Sequence, residues 1–125
     1  MADGNIDAKT LREMLDRGER ITVPDVRKAE DRAERAIPGS VHFDAYEALK
    51  AGDERAMEGA DVPDRVPVVT VCNAGNSSAV AAEQLRRRGH EAMSLEGGMK
   101  AWNLAEVDAP GADARILQVR RTGKG

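Results

Sequence analysis

Residues 66–71 read Val-Pro-Val-Val-Thr-Val, and this run limits the fold more than any other part of the chain. Valine and threonine favour extended backbone, and successive strand side chains point to opposite faces. A strand that is apolar at nearly every position therefore needs cover on both faces, which is the habit of a central strand in a parallel sheet. Helical and extended segments alternate around it. Asp7 caps a helix carrying Leu11, Met14 and Leu15 on one side and ending at Gly18. Residues 21–26 read as a strand in which Pro24 removes a ladder donor, so a short or edge-like segment is expected there. Residues 37–43 give a turn and a short strand, and Asp44 caps a short helix over 45–50. Residues 51–65 are rich in Gly, Asp, Glu and Pro and read as a loop. A helix over 77–88 closed by Gly89, a strand over 91–95 and a helical turn over 99–103 complete the series. The expected class is α/β: one domain with a mostly parallel central sheet and helices on both faces.

The chain has 125 residues, the length of one domain. Aromatics make up only 2% against 41% hydrophobic residues overall, so the core is aliphatic. A net charge of -3 with 33% charged residues describes a surface of mixed sign and not a nucleic-acid footprint. No apolar run has the length of a membrane span, and Met-Ala-Asp-Gly-Asn at the start is not a basic segment leading into an apolar one. The expected partners are small molecules, with neither nucleic acid nor membrane, and the expected location is the cytoplasm. His42 and His90 have no neighbours at metal-ligand spacing, so no metal site is expected.

Cys72, the single cysteine, follows the apolar strand directly and opens the loop Cys72-Asn-Ala-Gly-Asn-Ser-Ser78 before the next helix. The first N–H groups of a helix lack intrahelical partners, and with the helix dipole they favour a thiolate placed among them. Asn73, Ala74, Gly75, Asn76, Ser77 and Ser78 are small or polar, which suits an anion cradle better than core filling. Buried free cysteines are often inert, but not usually in such company. Ligands of parallel sheets bind beyond the carboxyl ends of the strands. Asp25 and Arg27 fall at that edge too, after an earlier strand. Arg27 either faces an anionic substrate or pairs with Asp25 to hold the loops. Arg86, Arg87 and Arg88 read as a solvated helix end, and Trp102 as a core plug beneath the Cys72 loop.

Four signatures in order resemble those of rhodanese homology domains: Asp25-Val-Arg27, Ile37-Pro-Gly39, the Cys72 to Ser78 loop, and Leu95-Glu-Gly-Gly-Met-Lys-Ala-Trp102. The resemblance spans roughly residues 5 to 105, and the loop is similar to that of small single-domain thiosulfate sulfurtransferases. It implies a rhodanese-like domain over 1–107. It also implies a sulfurtransferase in which a Cys72 persulfide carries sulfane sulfur from thiosulfate or a persulfide donor to a thiol or cyanide, with no cofactor. The alternative is a non-catalytic rhodanese-like module that binds or regulates a partner. The chain departs from many rhodaneses at Arg32, where an aromatic is common, at Ala36, where histidine is, and in the loop, where Asn73 or Ser77 replaces an arginine. A Cys-x5-Arg phosphatase or arsenate reductase is disfavoured, because Ser78 occupies the position of the oxyanion-clamping arginine. Residues 108–125 read as a linker and a C-terminal strand that either docks on this domain or opens a truncated second one. Residues 115–121 resemble the first strand of metallo-β-lactamase-fold hydrolases, some of which are fused to rhodanese domains and act on persulfides. That resemblance implies a fused or interacting metallo-hydrolase.

Overall fold

The computed structural model describes residues 4–108. The elements are β1 (Asn5–Ile6), α1 (Ala8–Asp16), β2 (Pro24–Asp25), α2 (Ala29–Glu34), β3 (Val41–His42), α3 (Tyr46–Lys50), β4 (Val68–Thr70), α4 (Asn76–Arg87), β5 (Ala92–Leu95) and α5 (Gly98–Asp108). All strand pairs are parallel, in one ladder ordered β1-β5-β4 and a second pairing β2 with β3. The segment around β2 joins the two. Thr22 N–H donates to Pro67 O at 2.9 Å and Val26 N–H to Val71 O at 3.0 Å, while Val41 and Phe43 donate to Val23 O and Asp25 O, each at 2.9 Å. The strand at Pro24 is short, as expected, but it is not an edge: the segment has neighbours on both sides. Proline withholds one donor from the side facing β4, which reduces that contact to the isolated bridges Thr22↔Val68 and Asp25↔Val71.

The sheet is covered on both faces. Val69, Val71, Leu95 and Ile6 pack against Leu11 of α1 and Met99 and Trp102 of α5. Val68 and Ala92 pack on the other face against Ala81, Ala82 and Leu85 of α4 and Leu49 of α3. Val68 and Val69 are both fully buried although they face opposite ways, as a central strand requires. Trp102 is a core residue, as expected. The Asp7 carboxylate caps α1 by accepting from Thr10 N at 2.8 Å, and hydrogen bonding from the Thr10 side chain, then its backbone, holds the acid below the usual carboxylate range.

Local structure adds to or departs from the sequence expectations in five places, the loop over 51–65 being borne out but anchored; the first is the unforeseen short strand β1. Helix α2 forms where no element was expected; it buries no residue, and Glu30 and Asp31 in its first turn complement the helix dipole. Helix α5 continues past the expected turn through Asp108, taking in the first residues read as linker; the strand expected over 115–121, and the second domain it would open, lie outside the described residues. Residues 51–65 form turns without a regular element, yet Met57 is fully buried, and Gln84 of α4 holds the segment by accepting from Met57 N at 3.0 Å and donating to Asp53 O at 2.9 Å. The arginines at the end of α4 are likewise not simply solvated: Arg86 donates to Ala92 O at 2.9 Å, Arg88 to Met57 O at 2.7 Å, and Arg87 pairs with Glu83 at 3.0 Å.

Two features fix the carboxyl edge of the sheet. One is a buried ion pair. Arg27 donates through Nε to Asp25 Oδ1 at 2.9 Å and through a terminal nitrogen to Asp25 Oδ2 at 2.8 Å, with side chains 4% and 1% exposed. Its remaining donors reach Asp31 O and Arg35 O, tying α2 to the sheet. The other is the close approach of Gly98 to the loop after β4. A Cβ on Gly98 would lie 2.4 Å from Cys72 O and 2.6 Å from Asn73 O, and its φ of +59° is in the left-handed region.

Arg27→Ala leaves the Asp25 carboxylate buried without its partner, so it is expected to lower the unfolding free energy by about 3 kcal/mol or more in urea titration. A loss below about 1 kcal/mol is the behaviour of an exposed pair and contradicts this assignment. Gly98→Ala meets rigid backbone as well as an unfavourable φ, whereas a Cβ on Gly18, at φ +74°, meets nothing within 4 Å. Gly18→Ala is therefore expected to cost about 1–2 kcal/mol and Gly98→Ala clearly more, and equal shifts in denaturation midpoint would refute the close approach.

Candidate active site

Cys72 leaves β4 one residue beyond Val71 and is 5% exposed. Its Sγ accepts from Gly75 N–H at 3.0 Å and from Ser78 N–H at 3.3 Å, and lies 3.3 Å from Ser78 Oγ. The loop thus wraps around the sulfur and presents two backbone donors to it. Asn76 and Ser77, in the first turn of α4, carry N–H groups without an intrahelical acceptor, and both residues line the cleft above the sulfur.

Backbone contacts on the outer side of the loop explain its curl. Met99 N–H donates to Cys72 O at 2.8 Å and Lys100 N–H to Asn73 O at 3.1 Å. The N-terminus of α5 so takes up the first two loop carbonyls, and the donors that follow turn towards Sγ. Gly75 makes the turn at φ +101°, where a Cβ would stand 3.0 Å from Gly97 N.

Behind the sulfur lies a group of buried hydroxyls. Ser78 Oγ is 2.7 Å from Ser94 Oγ, and Thr70 Oγ1 donates to Ser78 O at 2.7 Å. Thr70 and Ser94 are register partners on β4 and β5, and Thr70, Ser78 and Ser94 are each no more than 1% exposed. The sequence reading did not include Thr70 or Ser94. Their signal was a polar residue inside an apolar strand, two positions from Cys72 in the case of Thr70 and therefore on the same face.

The residues singled out from sequence divide into three groups. Cys72, Gly75 and Ser78 form the cradle. Ala74, Asn76 and Ser77 line a cleft of about 330 Å³ together with Cys72, Asn73, Arg27, Tyr46 and Lys50. Asn73 is a brace: its amide donates to Asp31 Oδ2 at 3.1 Å and accepts from Arg27 at 3.4 Å. Asp25 and Arg27 take the structural role of the two foreseen for them. Arg32 extends their network, reaching Asp25 Oδ2 at 3.3 Å and Ser40 Oγ at 2.8 Å, and His42 contacts Arg27 O through Nε2 at 2.7 Å. Among the described residues no three His, Cys, Asp or Glu side chains are placed to hold a metal ion, and no helix is long and apolar enough to cross a membrane.

Tyr46 and Lys50 on α3 were also absent from the sequence reading; nothing in their local sequence marks them, since only the fold brings them to the cleft. The Tyr46 hydroxyl accepts from Lys50 Nζ at 3.2 Å. That bond holds the ammonium form of Lys50 above the usual lysine range.

Residues 7–105 match the Rhodanese-like domain family. YtwF of Bacillus subtilis (strain 168), named as a candidate sulfurtransferase, is 32% identical over 98 residues, which cover 78% of this chain and 87% of YtwF. The rhodanese homolog TT1651 of the extremely thermophilic bacterium Thermus thermophilus superposes with a TM-score of 0.57 at 32% identity, over 79% of this chain and all of that one. A rhodanese-like domain protein of Staphylococcus aureus superposes with a TM-score of 0.64 at 25% identity, over 80% of this chain and 91% of that one. With the α/β fold and a cysteine cradled at the sheet edge, these matches establish that the chain belongs to the rhodanese-like domain family.

Proposed function

We propose that this chain is a sulfurtransferase that carries sulfane sulfur on Cys72. The observation that supports it most is the pair of backbone N–H groups aimed at Sγ from Gly75 and Ser78 at the foot of an open cleft. A thiolate there attacks the outer sulfur of thiosulfate. The donor's S–S bond breaks, sulfite leaves with its electron pair, and a new S–S bond joins the transferred sulfur to Sγ. The persulfide keeps one negative charge on its terminal sulfur, which the loop amides and the first turn of α4, whose Asn76 and Ser77 line the cleft, are suited to stabilise. A thiol or cyanide then attacks that terminal sulfur and restores the thiolate. A persulfide donor serves by the same step, with a thiolate leaving in place of sulfite. The sulfurtransferase naming of YtwF agrees with this reading.

Intact-mass measurement tests it. Incubation with thiosulfate is expected to add one sulfur atom to the chain, cyanide to remove it with formation of thiocyanate, and Cys72→Ser to abolish both. An unchanged mass with thiosulfate and with polysulfide donors alike would sink the proposal in favour of a binding module.

A further inference from the structure

We infer that Lys50, held by Tyr46, is the residue of this chain that meets the oxyanion end of an anionic sulfane donor at the Cys72 cleft. This inference rests on the sulfurtransferase reading and names a specificity-determining residue for it. The loop from Cys72 to Ser78 has no cationic side chain, so the charge of an anionic donor must be met from elsewhere. Two cations line the cleft, Arg27 and Lys50. Arg27 is spent. Its guanidinium is paired with Asp25, a carboxylate that Arg32 shares, and its donors end on Asp25, Asp31 O, Arg35 O and Asn73. Lys50 has no carboxylate within ion-pair distance among the described residues, and its one hydrogen-bond partner is the neutral Tyr46 hydroxyl, which leaves donors over for a ligand.

The geometry around Tyr46 points the same way. Lys50 Nζ stands 5.2 Å from the centre of the Tyr46 ring and Lys28 Nζ 4.9 Å from it. Lys28 pairs with Glu47 at 3.7 Å on the exposed surface, and the same carboxylate, outside ion-pair distance, also attracts Lys50. Among the described residues Lys50 is therefore the cation lining the Cys72 cleft that keeps uncommitted donors. Because it comes from α3 and not from the loop, it can meet the oxyanion end of a donor while the sulfane end meets Sγ. An ammonium is a point charge without the fork of a guanidinium, so its contribution is attraction more than fixed geometry.

The test compares, in the full chain, thiosulfate with a neutral dialkyl trisulfide, whose central sulfur the Cys72 thiolate attacks with loss of one alkanethiolate, leaving a Cys72 trisulfide that excess thiol then clears. Lys50→Gln is expected to lower the ratio of kcat/KM for thiosulfate to that for the trisulfide by roughly two- to fivefold, the upper part of the range for a solvent-exposed charge acting on an anion. Lys50→Arg is expected to preserve the ratio. The difference between wild type and Lys50→Gln should shrink as salt is raised, which a purely structural effect would not do. A parallel measurement reads the anion site without turnover: calorimetric binding of thiosulfate to the Cys72→Ser chain, which Lys50→Gln should weaken by a similar factor. An unchanged ratio, or an arginine variant that behaves like glutamine, overturns the role of Lys50 while leaving sulfur transfer intact. Weakened binding in a chain that never acquires sulfur overturns the transferase reading and leaves the anion site standing.

Discussion

The bonds from the N-terminus of α5 to the carbonyls of Cys72 and Asn73 are the constraint on which the site depends. A backbone loop has as many acceptors as donors, and a loop that collects its N–H groups on one side must dispose of its C=O groups on the other. The first turn of a helix is suited to take them, since its own N–H groups have no intrahelical partners. The two helix starts around Cys72 therefore do complementary work. That of α5 takes the loop carbonyls, and that of α4 offers its donors to the sulfur. Gly98 is what lets the two approach, because its missing Cβ would coincide with the backbone of Cys72 and Asn73.

The second brace is electrostatic and has a consequence for chemistry. Asp25 and Arg27 stand at the end of the sheet segment beside β4, and with Arg32 and Asn73 they bind α2, the turn at Ser40 and the start of the active loop into one network. Burying an arginine beside the cleft would by itself build a strong anion site. Pairing it with a carboxylate that is 1% exposed commits its donors to the scaffold, although it still lines the cleft. The cleft is left with polar amides, hydroxyls and a lysine contributed from α3.

The order of elements, the parallel sheet and the placement of Cys72 were legible because each rests on local chemistry: an apolar strand, a capping Asp7, a loop of small polar residues before a helix. What was not legible depends on the register of distant segments. Pro24 reads as an edge signal, yet it sits between two strands because a parallel ladder spares alternate residues on each side and can lose one donor without dissolving. Helix α2 carries no apolar stripe and exists through bonds from Arg27. The arginines of α4 look solvated in sequence because their acceptors, Ala92 O and Met57 O, are backbone groups with no sequence signature. Thr70 and Ser94 gain meaning only when the register sets them side by side under Ser78.

That hydroxyl group also bears on how the sulfur changes its protonation state. In the thiol form S–H donates to Ser78 Oγ, and the Ser78 hydroxyl can then donate to Ser94 Oγ at 2.7 Å. A thiolate has no proton to give, so the contact between Sγ and Ser78 Oγ survives ionisation only if the Ser78 hydroxyl turns to donate to sulfur. Its oxygen is then free to accept from Ser94, whose hydroxyl turns in the same sense. Both arrangements use the same heavy-atom positions and leave the short Ser78 to Ser94 contact made. Thr70 holds the Ser78 carbonyl meanwhile, so the turn of α4 that carries the cradle stays in place while hydroxyl protons move. A buried pair of serines thus gives the cysteine a third donor when it is charged and an acceptor when it is not, which neither backbone N–H group can do.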